Sequence, residues 1–274
     1  MEVIKNTLSV GATEPFVLLH ISDIHLSEFD ENDTPERQEF AKKRKKHFSF
    51  APDAVEFVKE YVKKTGYILV NTGDMVDFIT PETLRISKSF IEETNMIFVT
   101  GNHEFWHCER NCFDPNDVPA TYQAKNDTLA EVGKQLGENI RFSCREINGV
   151  NLVCMDDTTY RIDREQFEKL KEVEAEGKPI LLFMHIPMYS EHLGGGAKYS
   201  TGAPSKYLEH CTPMQKYELS TDEQTYEFCD YIRKSPQIRC IFSGHIHYNV
   251  EILGKDSQDQ LVTGLDTIRE VTIC

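Results

Sequence analysis

The 274-residue chain contains no apolar run of membrane-spanning length, no internal repeat and no low-complexity linker. A transmembrane helix takes roughly 20 consecutive apolar residues, and a repeat array shows a fixed period, so both classes are excluded. A surplus of positive charge is also missing: the formal net charge is −15 at pH 7. Nucleic-acid polymers and anionic lipid need a positive field, so neither is expected as a partner. The one basic run, KKRKKH at residues 42–47, reads as a solvated helix face. The N-terminal MEVIKNTLSV lacks the basic flank and apolar core of a secretory signal, and the expected location is the cytoplasm. Of the eight cysteines, Cys144, Cys154 and Cys240 sit in apolar strand-like runs and read as small hydrophobes. Cys108 and Cys112 beside His107 lack the paired spacing of a structural zinc site.

What is present fits a globular α/β chain: 39% hydrophobic and 27% charged residues rule out wholesale disorder. This length permits one large domain or two ordinary ones. Buried strands are predicted at FVLLHI, YILVN, MIFVT, VNLVCM, PILLFMH and IRCIFSGH, with helices between them. Thr34-Pro35 and Thr80-Pro81 open helices, as does the Asp163/Gln166 capping box. The first of these helices breaks near Pro52 and restarts. Asn148-Gly149 marks a hairpin between IRFSCREI and VNLVCM. Short strands close the chain. Residues 105–120 and 188–219 are the least regular, and loops of that length are usually functional or disordered.

Five predicted strands end in metal-competent side chains: Asp23 and His25, Asp74 and Asp77, Asn102 and His103, His185, and His245 and His247. One aspartate after a strand is ordinarily a turn residue or cap, and one histidine in an apolar run is ordinarily satisfied by a backbone partner. That bland reading is kept for His20, His47, His107, His192 and His210. Five strands ending alike are another matter, because ligands bind at the carboxyl edge of α/β sheets and buried charges need partners.

In this order the residues resemble the calcineurin-like metallophosphoesterases, whose pattern is D-x-H, G-D-x-x-D, G-N-H-[DE], a lone H and G-H-x-H. Every part is present between residues 23 and 247. The resemblance implies one domain over residues 1–274, folded as a four-layer αββα sandwich of two mixed β-sheets flanked by helices. It implies two metal ions, one held by Asp23, His25, Asp74 and His247, the other by Asp74, Asn102, His185 and His245. An imidazole, carboxylate and amide set without thiolate suits Mn²⁺, Fe or Zn²⁺. The implied reaction is phosphoester hydrolysis by a bridging hydroxide, with His103 as general acid held by Asp77. Glu104 is expected either to support the site or to place a charge at a helix start, and Asp156 and Asp157, at another strand end, to serve as turn or cap residues, the alternative being that they face the site. Asn102, His103 and Tyr189 are the expected substrate contacts; Tyr199, Lys198 and Lys206 of the same 188–219 loop are, with Tyr189, candidates to stack on a base or meet a phosphate, the alternative being a surface loop without such a role. The resemblance is nearest to phosphodiesterase-type members, with phosphomonoesterase as the alternative and a non-catalytic scaffold as the remaining reading. No protein partner is indicated.

Overall fold

The computed structural model describes residues 1–106, 118–137, 140–212, 215–216, 219–254 and 258–274. Strands β1 (Glu2–Leu8), β2 (Phe16–Ile21), β3 (Ile68–Asn71) and β4 (Ile97–Phe98) join the last strand, β11 (Thr267–Ile273), in a mixed sheet of order β1-β11-β2-β3-β4. Strands β5 (Phe142–Ile147), β6 (Val150–Met155), β7 (Ile180–Phe183), β8 (Ile238–Ser243), β9 (Val250–Ile252) and β10 (Gln260–Val262) form a second mixed sheet, β5-β6-β7-β8-β10-β9. Both ends of the chain therefore contribute to the first sheet. Strands β2, β3 and β4 run parallel, as do β6, β7 and β8, which gathers their carboxyl ends.

Period-two alternation sorts each strand between two cores. Leu18 of β2 and Val70 of β3 turn inward to meet Leu152, Leu181, Phe183 and Phe242 of the second sheet. Leu19 and Ile21 turn outward onto helices α2 (Ala51–Thr65), α3 (Pro81–Thr94) and α4 (Val118–Leu136), where Val58, Phe90 and Leu129 wait. On the far side, Val153, Leu182 and Ile241 pack on Phe167 of α5 (Arg164–Glu174) and Phe228 of α6 (Glu223–Lys234). The order is helix, sheet, sheet, helix, as the resemblance implies. Arg269 of β11 is fully buried, and its guanidinium donates to Asn6 Oδ1 (2.6 Å), Glu251 Oε1 (2.6 Å) and the Val262 carbonyl (3.1 Å), tying the two sheets together.

Local signals hold where the chemistry is local. Thr34 caps α1 (Pro35–His47), and the chain restarts at α2 with Pro52 in its first turn. Thr80 and Asp163 close capping boxes. Asn148 and Gly149 adopt φ of 47° and 78°, the two left-handed residues that a tight type I′ hairpin requires. Strand β4 is shorter than predicted, pairing only at Ile97 and Phe98. The 188–219 loop contains 3-10 segments at Glu191–Tyr199 and Ser205–Leu208.

Strand β1 and helix α4 are additions to the sequence reading. The first is an edge strand with mostly exposed side chains, so it lacks an apolar signature; in the second, Leu129, Val132 and Leu136 are the buried stripe. Cys154 and Cys240 are buried as expected, whereas Cys144 is exposed on the edge strand β5. The cysteines placed among the described residues are free, and Cys108, Cys112 and His107 lie outside those residues. No described helix is long and apolar enough to cross a membrane.

Phe183 is fully buried between the sheets and stacks on Phe242 at a centroid separation of 4.8 Å. Phe183→Ala should cost about 3–5 kcal/mol. Chemical denaturation of metal-free protein would show this as a lower midpoint with an unchanged slope.

Candidate metal centre

The loops that leave β2, β3, β4, β7 and β8 converge at one edge, and their backbone is unusual there. Asp23, His25, Asp74, His245 and His247 all have positive φ, between 52° and 67°. Each left-handed non-glycine residue costs about 1–2 kcal/mol, and strain of this kind concentrates at functional sites. The preceding glycines permit close approach. A Cβ on Gly101 would strike the Asp74 backbone and carboxylate, and one on Gly244 would strike Ser22 and Asp23. Backbone bonds then bind loop to loop: Asp23 N to Gly73 O (3.0 Å), His25 N to Asp74 O (2.9 Å) and Gly244 N to His185 O (2.9 Å).

Two groups of side chains result. In the first, a ligand atom from each of Asp23, His25, Asp74 and His247 lies within 4.8 Å of the others; Asp74, His185 and His245 form the second. Asp74 belongs to both. Asn102 joins the second group, its Oδ1 being 3.1 Å from His185 Nε2. All seven sequence-predicted ligand positions are thus brought together. Each group draws on both sheets.

The donor set fits cations on the structure's own terms. His185 Nδ1 donates to the Thr72 carbonyl at 2.7 Å, so its Nε2 faces Asn102 Oδ1 at 3.1 Å and Asp74 Oδ2 at 3.3 Å. Three acceptors converge there unless a proton or a metal lies among them. Burial opposes the His185 imidazolium, yet Asp74 outweighs it and lifts the pKa to about 10. At His25 burial is likewise outweighed, by Asp23 and Asp77, and the pKa rises to about 9. Burial also works against the Asp23 and Asp74 carboxylates, but the surrounding histidines hold both below the usual range. Asp23 Oδ1 is buried without a hydrogen-bond partner, 3.4 Å from His247 Nε2 and 3.7 Å from His25 Nε2. His245 is the exception: burial and His185 press its pKa down to about 3, leaving the neutral imidazole that coordination needs.

His103 stands beside both groups, its Nε2 3.9 Å from Asp74 Oδ2. Its Nδ1 donates to the backbone carbonyl of Asp77 at 2.6 Å, while the Asp77 carboxylate lies 3.4 Å away. Asp77 therefore orients the ring through its main chain and adds negative charge through its side chain. The basic run is corrected here: Arg44 is not part of a solvated face. It reaches inward from α1 and clasps the Asp77 carboxylate with two bonds of 2.5 and 2.6 Å. A guanidinium is suited to this because its fork matches a carboxylate.

Glu104 fills both of its expected roles. It accepts from Gly101 N (2.5 Å) at a 3-10 start and from Asp74 N (3.0 Å), Met75 N (2.8 Å) and Val76 N (3.2 Å), locking two site loops together. Asp156 makes a local turn with Thr158. Asp157 does more, accepting from the backbone of His185 (3.0 Å) and Ile186 (3.1 Å). His20 is satisfied by the Thr72 and Thr263 hydroxyls at 2.9 and 2.8 Å, side-chain partners rather than the backbone partner expected.

A cleft of about 220 Å³ opens beside Asn102 and His245, lined by Phe105, Trp106, Lys125, Tyr160 and Tyr199 among others. Tyr160 Oη hydrogen-bonds His245 Nε2 at 2.6 Å. Tyr189, the tyrosine expected at the substrate, is not in its lining; its ring packs 5.9 Å from Tyr207. Arg44, Tyr160 and Trp106 are absent from the sequence reading of the site. Only the Arg44 position carried a signal, as one basic residue among five whose helical phase could face inward.

Residues 16–249 match the family described as calcineurin-like phosphoesterase. No curated protein matches the chain. Among solved structures, a dimetal phosphatase from Danio rerio is similar at a TM-score of 0.50 and 12% identity, over 91% of this chain and 87% of that one. A phosphopantetheinyl hydrolase from Mycobacterium tuberculosis gives 0.44 at 14% identity, over 90% and 89%. A putative 5'-nucleotidase from Staphylococcus aureus gives 0.46 at 14% identity, over 92% of this chain but 49% of that one. Identities this low speak to the fold alone. The family match carries the assignment, because it runs from β2 to the start of β9 and encloses every loop that meets at Asp74: the chain belongs to the calcineurin-like phosphoesterases, metal-dependent hydrolases of phosphoester bonds.

Proposed function

We propose that this protein is a phosphodiesterase, folded as one domain over residues 1–274, with two metal ions held as the sequence pattern implies. Asp23, His25, Asp74 and His247 hold one ion; Asp74, Asn102, His185 and His245 hold the other. The observation that carries the reading is the sharing of Asp74 between two ligand groups, with His103 beside them. Oxygen and imidazole donors without thiolate suit Mn²⁺, Fe or Zn²⁺. When bound, such a pair polarises the phosphoryl oxygens and acidifies a water.

The chain's own residues supply the rest. Asn102 offers an amide to the phosphoryl group, and His103 delivers a proton to the leaving oxygen from Nε2. Its Nδ1–H is fixed on the Asp77 carbonyl, which leaves Nε2 as the atom that carries the transferred proton. Arg44 keeps the Asp77 carboxylate in place. The aromatic side chains of the cleft walls suit the second organic substituent of a diester.

Chelator-stripped protein resupplied with Mn²⁺ should hydrolyse bis-p-nitrophenyl phosphate in preference to p-nitrophenyl phosphate, and Asp74→Asn should abolish this. Hydrolysis of the monoester alone would instead identify a phosphomonoesterase. No turnover of either ester despite full metal occupancy would favour the scaffold reading.

His103→Asn should retain the metals but lower turnover about 10²–10⁴-fold on a diester with an alkyl leaving group. The loss should be smaller with p-nitrophenolate, which leaves without a proton. Equal losses on both esters would remove His103 from the acid role.

Metal uptake should depend on pH in a defined sense. His25 and His185 are protonated at neutral pH in metal-free protein, with pKa values of about 9 and 10, so binding must expel their protons. Affinity should therefore rise with pH until those values are passed, and calorimetry in buffers of different ionisation heat should count the released protons. The raised values also stabilise the metal-free fold fully below pH 6.5. That contribution is lost as pH climbs through 9 to 10.

A further inference from the structure

We propose that the cleft selects phosphoesters bearing a flat aromatic group, which stacks between Trp106 and Tyr199; this rests on the phosphoesterase reading and names its substrate class. Trp106 and Tyr199 belong to the same lining. The Trp106 ring lies 4.8 Å from the His103 ring, and the Tyr199 ring lies 6.5 Å from the His245 ring. One aromatic wall therefore stands beside the proton donor and the other beside a metal ligand. A group attached to a phosphorus held beside His103 and His245 would enter this cleft. The cleft volume of about 220 Å³ accommodates a ring system rather than a long chain or a folded polymer.

Exposure supports the same conclusion. Tyr199 is 36% exposed, one of few large hydrophobic side chains left open among the described residues. Its ring is braced by Lys198, whose ammonium lies 4.5 Å from the ring centroid. Phe105, in the same lining, is fully buried, with the Lys125 ammonium 4.4 Å from its ring centroid. Lys198 and Lys125 thus brace the aromatic surfaces of the cleft. A nucleobase and a simple aryl ring both present such a π-face. Stacking on one aromatic side chain is worth roughly 5- to 150-fold in affinity.

Trp106 is the only tryptophan in the chain, so emission excited selectively at tryptophan reports on this cleft. Metal-loaded protein would be mixed rapidly with adenosine 5'-monophosphate, phenyl phosphate or glycerol phosphate. Saturable quenching is expected from the two aromatic probes at concentrations where glycerol phosphate has no effect. Tyr199→Ala should weaken both aromatic probes at least fivefold and leave competition by glycerol phosphate unchanged. Binding of the adenosine compound ten times tighter than phenyl phosphate would identify a nucleobase as the stacked group; similar affinities would identify an aryl ring, and either supports the proposal. An equal response to all three, no saturable quenching, or unchanged affinities in Tyr199→Ala would overturn it. Stacking of the aromatic probes by a protein that fails to hydrolyse bis-p-nitrophenyl phosphate would retain the cleft assignment and reject the phosphodiesterase reading. Hydrolysis without stacking would do the reverse.

Discussion

The Asp74 carboxylate is 1% exposed, and an ionised group so placed persists only where neighbouring charge replaces the lost water. Three imidazoles surround it, with Nε2 atoms at 3.3 Å (His185), 3.8 Å (His25) and 3.9 Å (His103). Its other oxygen accepts the His103 backbone N–H at 2.8 Å. Because Asp74 sits at the end of β3 in the left-handed region, the strand must stop there and the chain must turn sharply. The glycines before Asp74, Asn102 and His245 follow from the same crowding, since a Cβ at any of them meets a neighbouring backbone or side chain.

Tension of this sort explains why the supporting groups are so fully hydrogen-bonded. Glu104 accepts four backbone N–H groups across two loops, and Asp157 holds the turn at His185. Neither carboxylate belongs to a candidate ligand group. Each satisfies donors that a strand released when it ended early, and so removes the freedom that would let the strained loops relax. Local backbone strain and dense polar support are two sides of one design.

The parts legible in the sequence are those in which cause and effect lie close along the chain. Helix caps at Thr34, Thr80 and Asp163, the Asn148-Gly149 hairpin and the strand-end motifs all announce themselves within a few residues. Arg44 was opaque because its partner Asp77 is 33 residues away and its neighbours share its charge; only the helical phase of α1 turns it inward. Tyr160 and Trp106 gave no signal, since an aromatic residue after a strand reads as core until its neighbours are known. The placement of Tyr189 shows the converse. Adjacency to His185 suggested the whole loop borders the substrate, and of the two tyrosines singled out there the 3-10 segment brings Tyr199, not Tyr189, to the cleft. Strand β1 was hidden because an edge strand with solvated faces has no apolar period to read.

The geometry of the two ligand groups depends finally on how the sheets face each other. Asp23, His25 and Asp74 come from the first sheet and meet His247 from the second; Asp74 and Asn102 meet His185 and His245 in the same way. Relative sliding of the sheets would therefore move the candidate ligand residues in opposite directions, and a misplacement of about 1 Å can cost 10²-fold in rate. Apolar packing alone is tolerant of such slips, whereas hydrogen bonds are not. His20 supplies the directional tie immediately behind the site. Burial, with Arg269 nearby, presses its pKa down to about 3 and keeps it neutral, so it can bridge Thr72 in the loop after β3 to Thr263 after β10. The Thr72 carbonyl then receives His185 Nδ1. One neutral histidine, buried among Phe183 and Phe242, thus links the register of the two sheets to the orientation of an imidazole facing Asp74.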